Sequence, residues 1–497
     1  MKRSRAVYAF LFVIVVFGTS RPVWAQGQPN SQKTPEQLWK KIPIPKLPEF
    51  HPAQPKRFEL PNGMVIFLQE DHELPMIDGT ARIRGGERSV SASKAGLTDI
   101  YGEVWRTGGT KTQTGDQLDD FLEQRAAKVE TGGGIESTTI SWSCLKEDFD
   151  DVFRVFDDLL KNPDFRAEKI EIAKKGMYDG ISRRNDDASQ IAAREAAKLV
   201  YGAYSPYART PEYRTVASVT RQDLVEFHGR YVHPNNIILG VVGDFDSAKM
   251  EARLREAFGA WPKGPAPNDG DPAKPEPAKP GYYLVEKNDV NQSQIQLVAV
   301  GITRRNPDYF ATSVFSEAFG GGFSSRLFND IRTTKGLAYG VGGGIGAGWD
   351  HPGMLRMMVS TKSKTTVESI QAIDEEIADL NKRPINDEEL KRAKDAILNS
   401  FVFRFDSPGK VLQEKMAYEF YGYPLDFLEN FQREIEKVTK EDVARVAAKY
   451  LHRDQMAVLV VGNVADFDKP LSALGSVTKL DIAIPAPPPG LMPEDQK

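Results

Sequence analysis

Cysteine, histidine and net charge are all scarce in this chain of 497 residues, and each shortage closes off a class of function. A single cysteine, Cys144, allows no intrachain disulfide. It ends the strand-like stretch 138–144 and reads as a small core-filling side chain rather than a reactive thiol. The histidines number six: His51, His72, His228, His233, His351 and His452. They include no i,i+4 pair, no HExxH and no HxxEH, so the helical zinc sites those motifs build are absent. His233 and His452 instead occupy matching places in a repeat described below, which suggests a structural role. A net charge of −4 argues against a nucleic-acid binder and against a basic membrane-surface protein. There is no GxSxG elbow and no GxxxxGK[ST] phosphate loop.

What is present begins with a leader. Lys2, Arg3 and Arg5 precede an apolar run at 6–17, and Val23-Trp24-Ala25 offers a small-residue cleavage site before Gln26. The run is short for crossing about 30 Å of hydrocarbon, which takes ~20 residues. A signal peptide over 1–25 is therefore expected, with no membrane span after its removal. Export without disulfides suits a periplasmic or secreted protein that relies on its cores. Residues 26–54 are polar and Pro-rich and read as a tether.

The body of the chain repeats itself. Val219-Thr220-Arg221-Gln222-Asp223-Leu224 recurs as Val438-Thr439-Lys440-Glu441-Asp442-Val443. Each copy starts a helix, with a Thr cap and an acid three residues on. Tyr231-Val232-His233 then matches Tyr450-Leu451-His452, and the apolar strands at 237–243 and 457–462 follow; Tyr201-Gly202 matches Tyr421-Gly422 upstream. Between the copies, 263–281 is a Pro/Gly linker. Two α+β domains are expected, at 55–262 and 282–468, with a tail over 469–497.

The most informative stretch is 320–339, GGGFSSRLFNDIRTTKGLAY. Gly320, Gly321 and Gly322 free the backbone for close approach to a ligand, with Phe323 and Ser324 beside them. A short helix is expected next, capped by Ser324 or Ser325, with Leu327, Phe328 and Ile331 inward and Gly336 as its stop. Arg332 in its last turn and Tyr339 in the following strand lie across a tight corner. The glycine-rich 340–348 lacks full GxGxxG spacing and reads as strand and turn.

This pattern resembles the second-half signature, R-x-x-x-G-L-x-Y, of the pitrilysin/insulinase family of zinc metallopeptidases, which includes the mitochondrial processing peptidases. The resemblance covers about residues 55–470. It implies an α+β fold of two homologous repeats, each an antiparallel sheet backed by helices, together forming half of a peptidase clamshell. It also implies that Arg332 and Tyr339 reach a peptide substrate, with Gly320, Gly321, Gly322, Phe323 and Ser324 lining its path.

Members that cleave peptides carry HxxEH on a helix of the first repeat. The matching helix here is 96–107, GLTDIYGEVWRT, whose buried stripe is Leu97, Ile100, Tyr101, Val104 and Trp105. The opposite face presents Asp99, Gly102, Glu103 and Arg106. By resemblance, Asp99 and Glu103 stand where the two His belong, and Gly102 stands at the general base. Glycine cannot take a proton, and carboxylates suit tetrahedral imidazole chemistry poorly. The family's third ligand falls near Asp179-Gly180. An oxygen-only metal site from Asp99, Glu103 and Asp179 is conceivable; the plainer alternative is a solvated polar face.

The resulting expectation is a substrate-binding subunit, inactive alone, of an exported heterodimeric zinc metallopeptidase. No cofactor is expected in this chain; zinc belongs to a partner homologue that carries HxxEH. The other expected partner is a peptide or unfolded protein, and nucleic acid is not expected. The alternative from another class is a non-proteolytic peptide-binding or scaffolding homodimer of the same fold.

Overall fold

Two stretches of unbroken apolar sequence, Ile237–Gly243 and Ala457–Gly462, organise the molecule because each is covered on both faces. The computed structural model describes residues 54–266 and 272–490. The leader expected over 1–25 and the tether up to residue 53 lie outside the described residues. Among those described, no helix is long and apolar enough to cross a membrane.

The first sheet holds β1 (Lys56–Glu59), β2 (Val65–Glu70), β3 (Met76–Arg84), β4 (Lys128–Gly133), β5 (Ser137–Leu145) and β6 (Ile237–Gly243), in the order β1-β2-β6-β3-β5-β4. The second holds β7 (Gly281–Glu286), β8 (Gln292–Val300), β9 (Ala338–Ile345), β10 (Met354–Lys362), β11 (Ala457–Gly462) and β12 (Val477–Lys479), in the order β9-β10-β8-β11-β7-β12. Each sheet is backed by helices, so the α+β architecture is as expected. Pairing is antiparallel except where a strand returns after the helical block. There β6 runs parallel to β2 and β11 parallel to β7, as a long crossover permits. β12 also pairs in parallel with β7. The segment from 469 thus contributes a strand to the second sheet, where the sequence suggested a tail.

The helices that matter for the site are α1 (Leu97–Thr107), α2 (Ala167–Arg183), α3 (Ala188–Tyr201), α4 (Arg221–Tyr231), α5 (Tyr309–Ser316), α6 (Pro408–Tyr421) and α7 (Lys440–Tyr450). Capping boxes open α4 (Thr220 with Asp223) and α7 (Thr439 with Asp442), as the repeated motif predicted. His233 and His452 turn their Nε2 atoms onto the Gly229 and Lys449 carbonyls in the last turns of these helices.

The two repeats exchange helices. α3 belongs to the first repeat in sequence but lies on the second sheet. There Ile191, Ala192, Ala196 and Val200 pack with Val298, Ala457, Leu459 and Val461. Val458 and Val460, the alternate residues of β11, enter the second repeat's own core. In return, α6 lies on β2 and β6 of the first sheet. Leu412 and Met416 share a core with Phe67 and Ile238, while Leu239 and Val241 face the first repeat's own helices. A side chain at Gly240 would meet Met416 Sδ at 2.3 Å.

The repeated Tyr-Gly pairs end these exchanged helices and tie them across. Tyr201 donates its hydroxyl to the Pro352 carbonyl at 3.1 Å. Tyr421 donates to Glu136 at 2.5 Å, accepts from Arg82 at 3.0 Å, and stacks on Trp349. Beside them, His351 Nδ1 lies 3.0 Å from Asp350 and 3.4 Å from Glu136, with Tyr207 stacked on its ring at 3.8 Å. Arg88 pairs with Asp350 at 2.6 Å. Burial opposes charge on His351, but its hydrogen bonds to Asp350 and Glu136 outweigh that and push the imidazole up to about 9. Glu136 and Asp350 stay below the usual carboxylate range, because these partners outweigh the burial that opposes their charge.

Two predictions follow from the exchange. Ile191→Ala, at a fully buried position, should cost about 2–5 kcal/mol. Fluorescence and circular dichroism should both report one shared unfolding transition; two separate transitions would contradict a single folded body. His351 titrates higher in the folded chain than in the unfolded one, so its stabilisation is full below about pH 6.5 and lost as pH rises through about 9. The Tm gap between wild type and His351→Gln should therefore narrow from pH 6.5 to 9.5. A gap independent of pH would contradict this.

Candidate functional site

Helix α1 buries a second stripe that its polar sequence conceals. The expected apolar stripe is buried, with Trp105 donating to the Leu159 carbonyl at 2.8 Å. Thr98, Gly102 and Arg106, at i, i+4 and i+8, are buried too, against strand β4. Thr131 donates its hydroxyl to the Gly102 carbonyl at 2.5 Å, and Arg106 donates to the Val129 carbonyl at 3.0 Å and to Asp119 at 2.6 Å. The sequence placed Gly102 and Arg106 on the face opposite the core; the edge of the sheet covers them instead. Only Asp99 and Glu103 remain outside.

At Gly102 the helix and strand backbones touch. A Cβ there would lie 2.2 Å from the Gly133 nitrogen and 2.7 Å from the Gly132 carbonyl carbon. A Cβ on Gly133 would in turn lie 2.0 Å from the Thr98 carbonyl oxygen. Real Cβ atoms do not approach backbone so closely, so any side chain at 102 requires the strand to move.

Asp99 and Glu103 stand one turn apart on the outer face, and Asp179 is exposed on α2. Crowding by surrounding protein raises the Asp99 carboxyl above its usual range even though the residue reaches solvent. These three do not converge. Among the described residues, the one grouping of potential ligand atoms is Glu136, Asp350 and His351. Arg88, Tyr421 and the His351 proton already satisfy that group. His228, beneath α1, bonds through Nδ1 to Tyr101 at 2.9 Å; burial lowers it to about 3, so it is a neutral core imidazole. The residues at α1 therefore do not fit catalytic zinc: they offer two carboxylates, no imidazole and no room for a general base.

The second repeat has the same helix-on-edge packing, built from α5 and β9. A Cβ on Gly320 would lie 2.6 Å from the Gly343 carbonyl oxygen, and Ser316 Oγ accepts from the Ile345 amide at 2.9 Å. Gly322 approaches only the flexible Glu317 carboxylate, and Gly321 approaches that carboxylate and, at 3.2 Å, the Ser316 carbonyl oxygen. Beyond them the chain forms not an ordinary α-helical turn but a wide π turn, Phe328–Thr334, in which the Lys335 amide reaches back to the Asp330 carbonyl. Neither Ser324 nor Ser325 caps it through a side chain. The Ser324 carbonyl accepts from Asn329, and the Ser325 hydroxyl is buried without a partner. Leu327 and Ile331 are fully buried, and Gly336 ends the segment at φ +66°.

Arg332 and Tyr339 both belong to the surface. The Arg332 guanidinium lies 4.6 Å from the centre of the Phe328 ring, and Phe323, 80% exposed, meets that ring edge-on at 5.0 Å. Among the described residues Arg332 has no ion pair. Tyr339 is 78% exposed and sits where the β9–β10 register shifts between Ala338 and Gly340. Such a bulge re-aims a side chain. β9 is the edge of its sheet, and among the described residues no other strand pairs with its far side.

Residues 218–397 match the family described as "Peptidase M16 inactive domain". A Helicobacter pylori protein named "Non-peptidase homolog YmxG" is 23% identical, over 80% of this chain and 91% of its own length. A Bacillus subtilis protein named "Uncharacterized zinc protease YmxG" is 22% identical, over 82% of this chain and 98% of its own. A Pseudomonas fluorescens crystal structure described as a peptidase M16 inactive domain superposes with a TM-score of 0.74 at 24% identity, over 83% of this chain and 98% of that one.

The contact at Gly102 is directly testable. Gly→Ala inside a helix ordinarily stabilises by about 1 kcal/mol. Here Gly102→Ala should destabilise by about 1–3 kcal/mol, measured by urea unfolding, because the new methyl meets backbone. Stabilisation by the substitution would show that α1 and β4 are not in contact.

Proposed function

From the premise that this chain is a homologue of the M16 metallopeptidases without their HxxEH zinc motif, we propose that it is the substrate-holding subunit of an exported two-chain peptidase. The partner is a homologue that carries HxxEH and supplies metal and general base. The observation that carries this reading is the contrast between the repeats. In the first, the general-base position is closed by backbone against backbone; in the second, an exposed tyrosine and a half-buried arginine without an ion pair stand beside a strand edge that no other described strand pairs.

The chemistry of this chain's own residues suits that role. An extended peptide adds to a free edge through main-chain hydrogen bonds, which tolerate many sequences. The Tyr339 hydroxyl and Arg332 guanidinium are then donors for a peptide carbonyl. A guanidinium donor forms a charge-assisted hydrogen bond worth about 1.5–3 kcal/mol, and a donor to a developing oxyanion alters rate by roughly 10²–10³. Arg332 has no competing carboxylate among the described residues, so its charge is available to substrate.

Co-expression with an HxxEH homologue from the same genome, followed by a peptide-cleavage assay, tests the reading. A complex should form, and Arg332→Ala with Tyr339→Phe should lower its kcat by at least about 10²-fold without dissociating it. Failure to associate, or full activity in the double variant, contradicts the proposal.

A further inference from the structure

A groove of about 730 Å³ crosses the second sheet beside the β9 edge. Strand register fixes its floor. Gly340, Gly342 and Gly344 of β9 pair with Ser360, Met358 and Arg356 of β10. These in turn pair with Gln294, Gln296 and Val298 of β8. Gly320 and Gly321 line the groove next to β9, and Ser189 and Ala193 line it from α3, the helix that packs on β8.

Two side chains here lack partners. Arg356 is the only charged residue lining the groove, and among the described residues it has no ion pair, hydrogen bond or stacked ring. Gln296 is 7% exposed, and its Oε1 is buried with no hydrogen bond. Buried polar atoms in native proteins are normally satisfied, so this orphaned oxygen, on a residue that lines the groove, points to a missing donor. The register makes Gln296 and Arg356 diagonal neighbours on adjacent strands, within reach of one ligand residue. Glu317, at the rim beside Gly321, is half-buried and makes no ion pair with Arg356 among the described residues.

A donor is wanted at Gln296 and an anion at Arg356. A polypeptide that passes from the β9 edge over its glycines into the groove meets both through one acidic residue, whose backbone N–H and side-chain carboxylate lie a few ångströms apart. We propose that this groove is a specificity subsite that selects an aspartate or glutamate side chain in the polypeptide held along β9. The substrate class is thus acidic extended segments, a refinement that rests on the peptide-holding reading above. Met354 and Met358, beside Arg356 on β10, supply adaptable apolar contact for the flanking side chains.

The test is fluorescence polarisation of the whole chain with three labelled nonapeptides of threonine, valine and serine that differ only in a central Glu, Gln or Lys. Wild type should bind the Glu peptide about tenfold more tightly than the Gln peptide, and the Lys peptide more weakly still. Arg356→Gln should bind the Glu and Gln peptides alike while keeping wild-type affinity for the Gln peptide. Arg356→Lys should retain part of the preference, and it serves as the readout if the Gln variant does not fold. Equal binding of all three peptides by wild type, or a Glu preference that survives Arg356→Gln, overturns the subsite alone. Failure of wild type to bind any of them overturns the peptide-holding reading with it.

Discussion

The contact on which the functional reading turns is backbone against backbone: Gly102 of α1 resting on Gly132 and Gly133 of β4. Helix and edge strand pack with no room for a methyl group between their main chains. The space in which a general base and an activated water would work is filled by peptide groups. Thr131 and Arg106 reinforce the closure with hydrogen bonds across the same seam. The obstacle at α1 therefore lies in the backbone as well as in the side chains, because the fold leaves no room for a side chain at Gly102.

The second repeat keeps the same plan with a different outcome. Gly320 approaches Gly343 as Gly102 approaches Gly133, yet the sheet beside that contact stays open. The helix exchange explains why. α3 covers β8 and β11 but stops short of β10 and β9, which leaves a groove between the crossing helix and the sheet edge. Since α6 makes the reciprocal crossing, and Tyr421, Glu136, Asp350 and His351 join the repeats at its end, the groove is held by the whole folded body rather than by one lobe.

Much of this was legible in the sequence because it is local. The repeated Thr-x-x-Asp caps and the two apolar strands appear where their short-range patterns put them. The buried stripe of α1 also follows from its period. The rest depends on contacts distant in sequence. Gly102 and Arg106 read as part of a polar face because helical periodicity reveals one core, whereas α1 has two neighbours. The double coverage of β6 and β11 shows in their unbroken apolar runs, but nothing local says that the covering helix comes from the other repeat. Arg356 and Gln296 alternate with apolar residues in the sequence as half-exposed strand positions do; only the assembled sheet shows that Gln296 is buried and that, among the described residues, both lack partners. The wide turn at 328–334 has no signature in the residues that form it.

The fold is of the M16 type, and the residues at α1 in its first repeat do not fit catalytic zinc. The most direct measurement is the zinc content of the purified wild-type chain after incubation with zinc and buffer exchange, paired with an assay for unaided peptide hydrolysis. The account predicts far less than one zinc per chain and no turnover. One tightly held zinc per chain with turnover by the chain alone would contradict it.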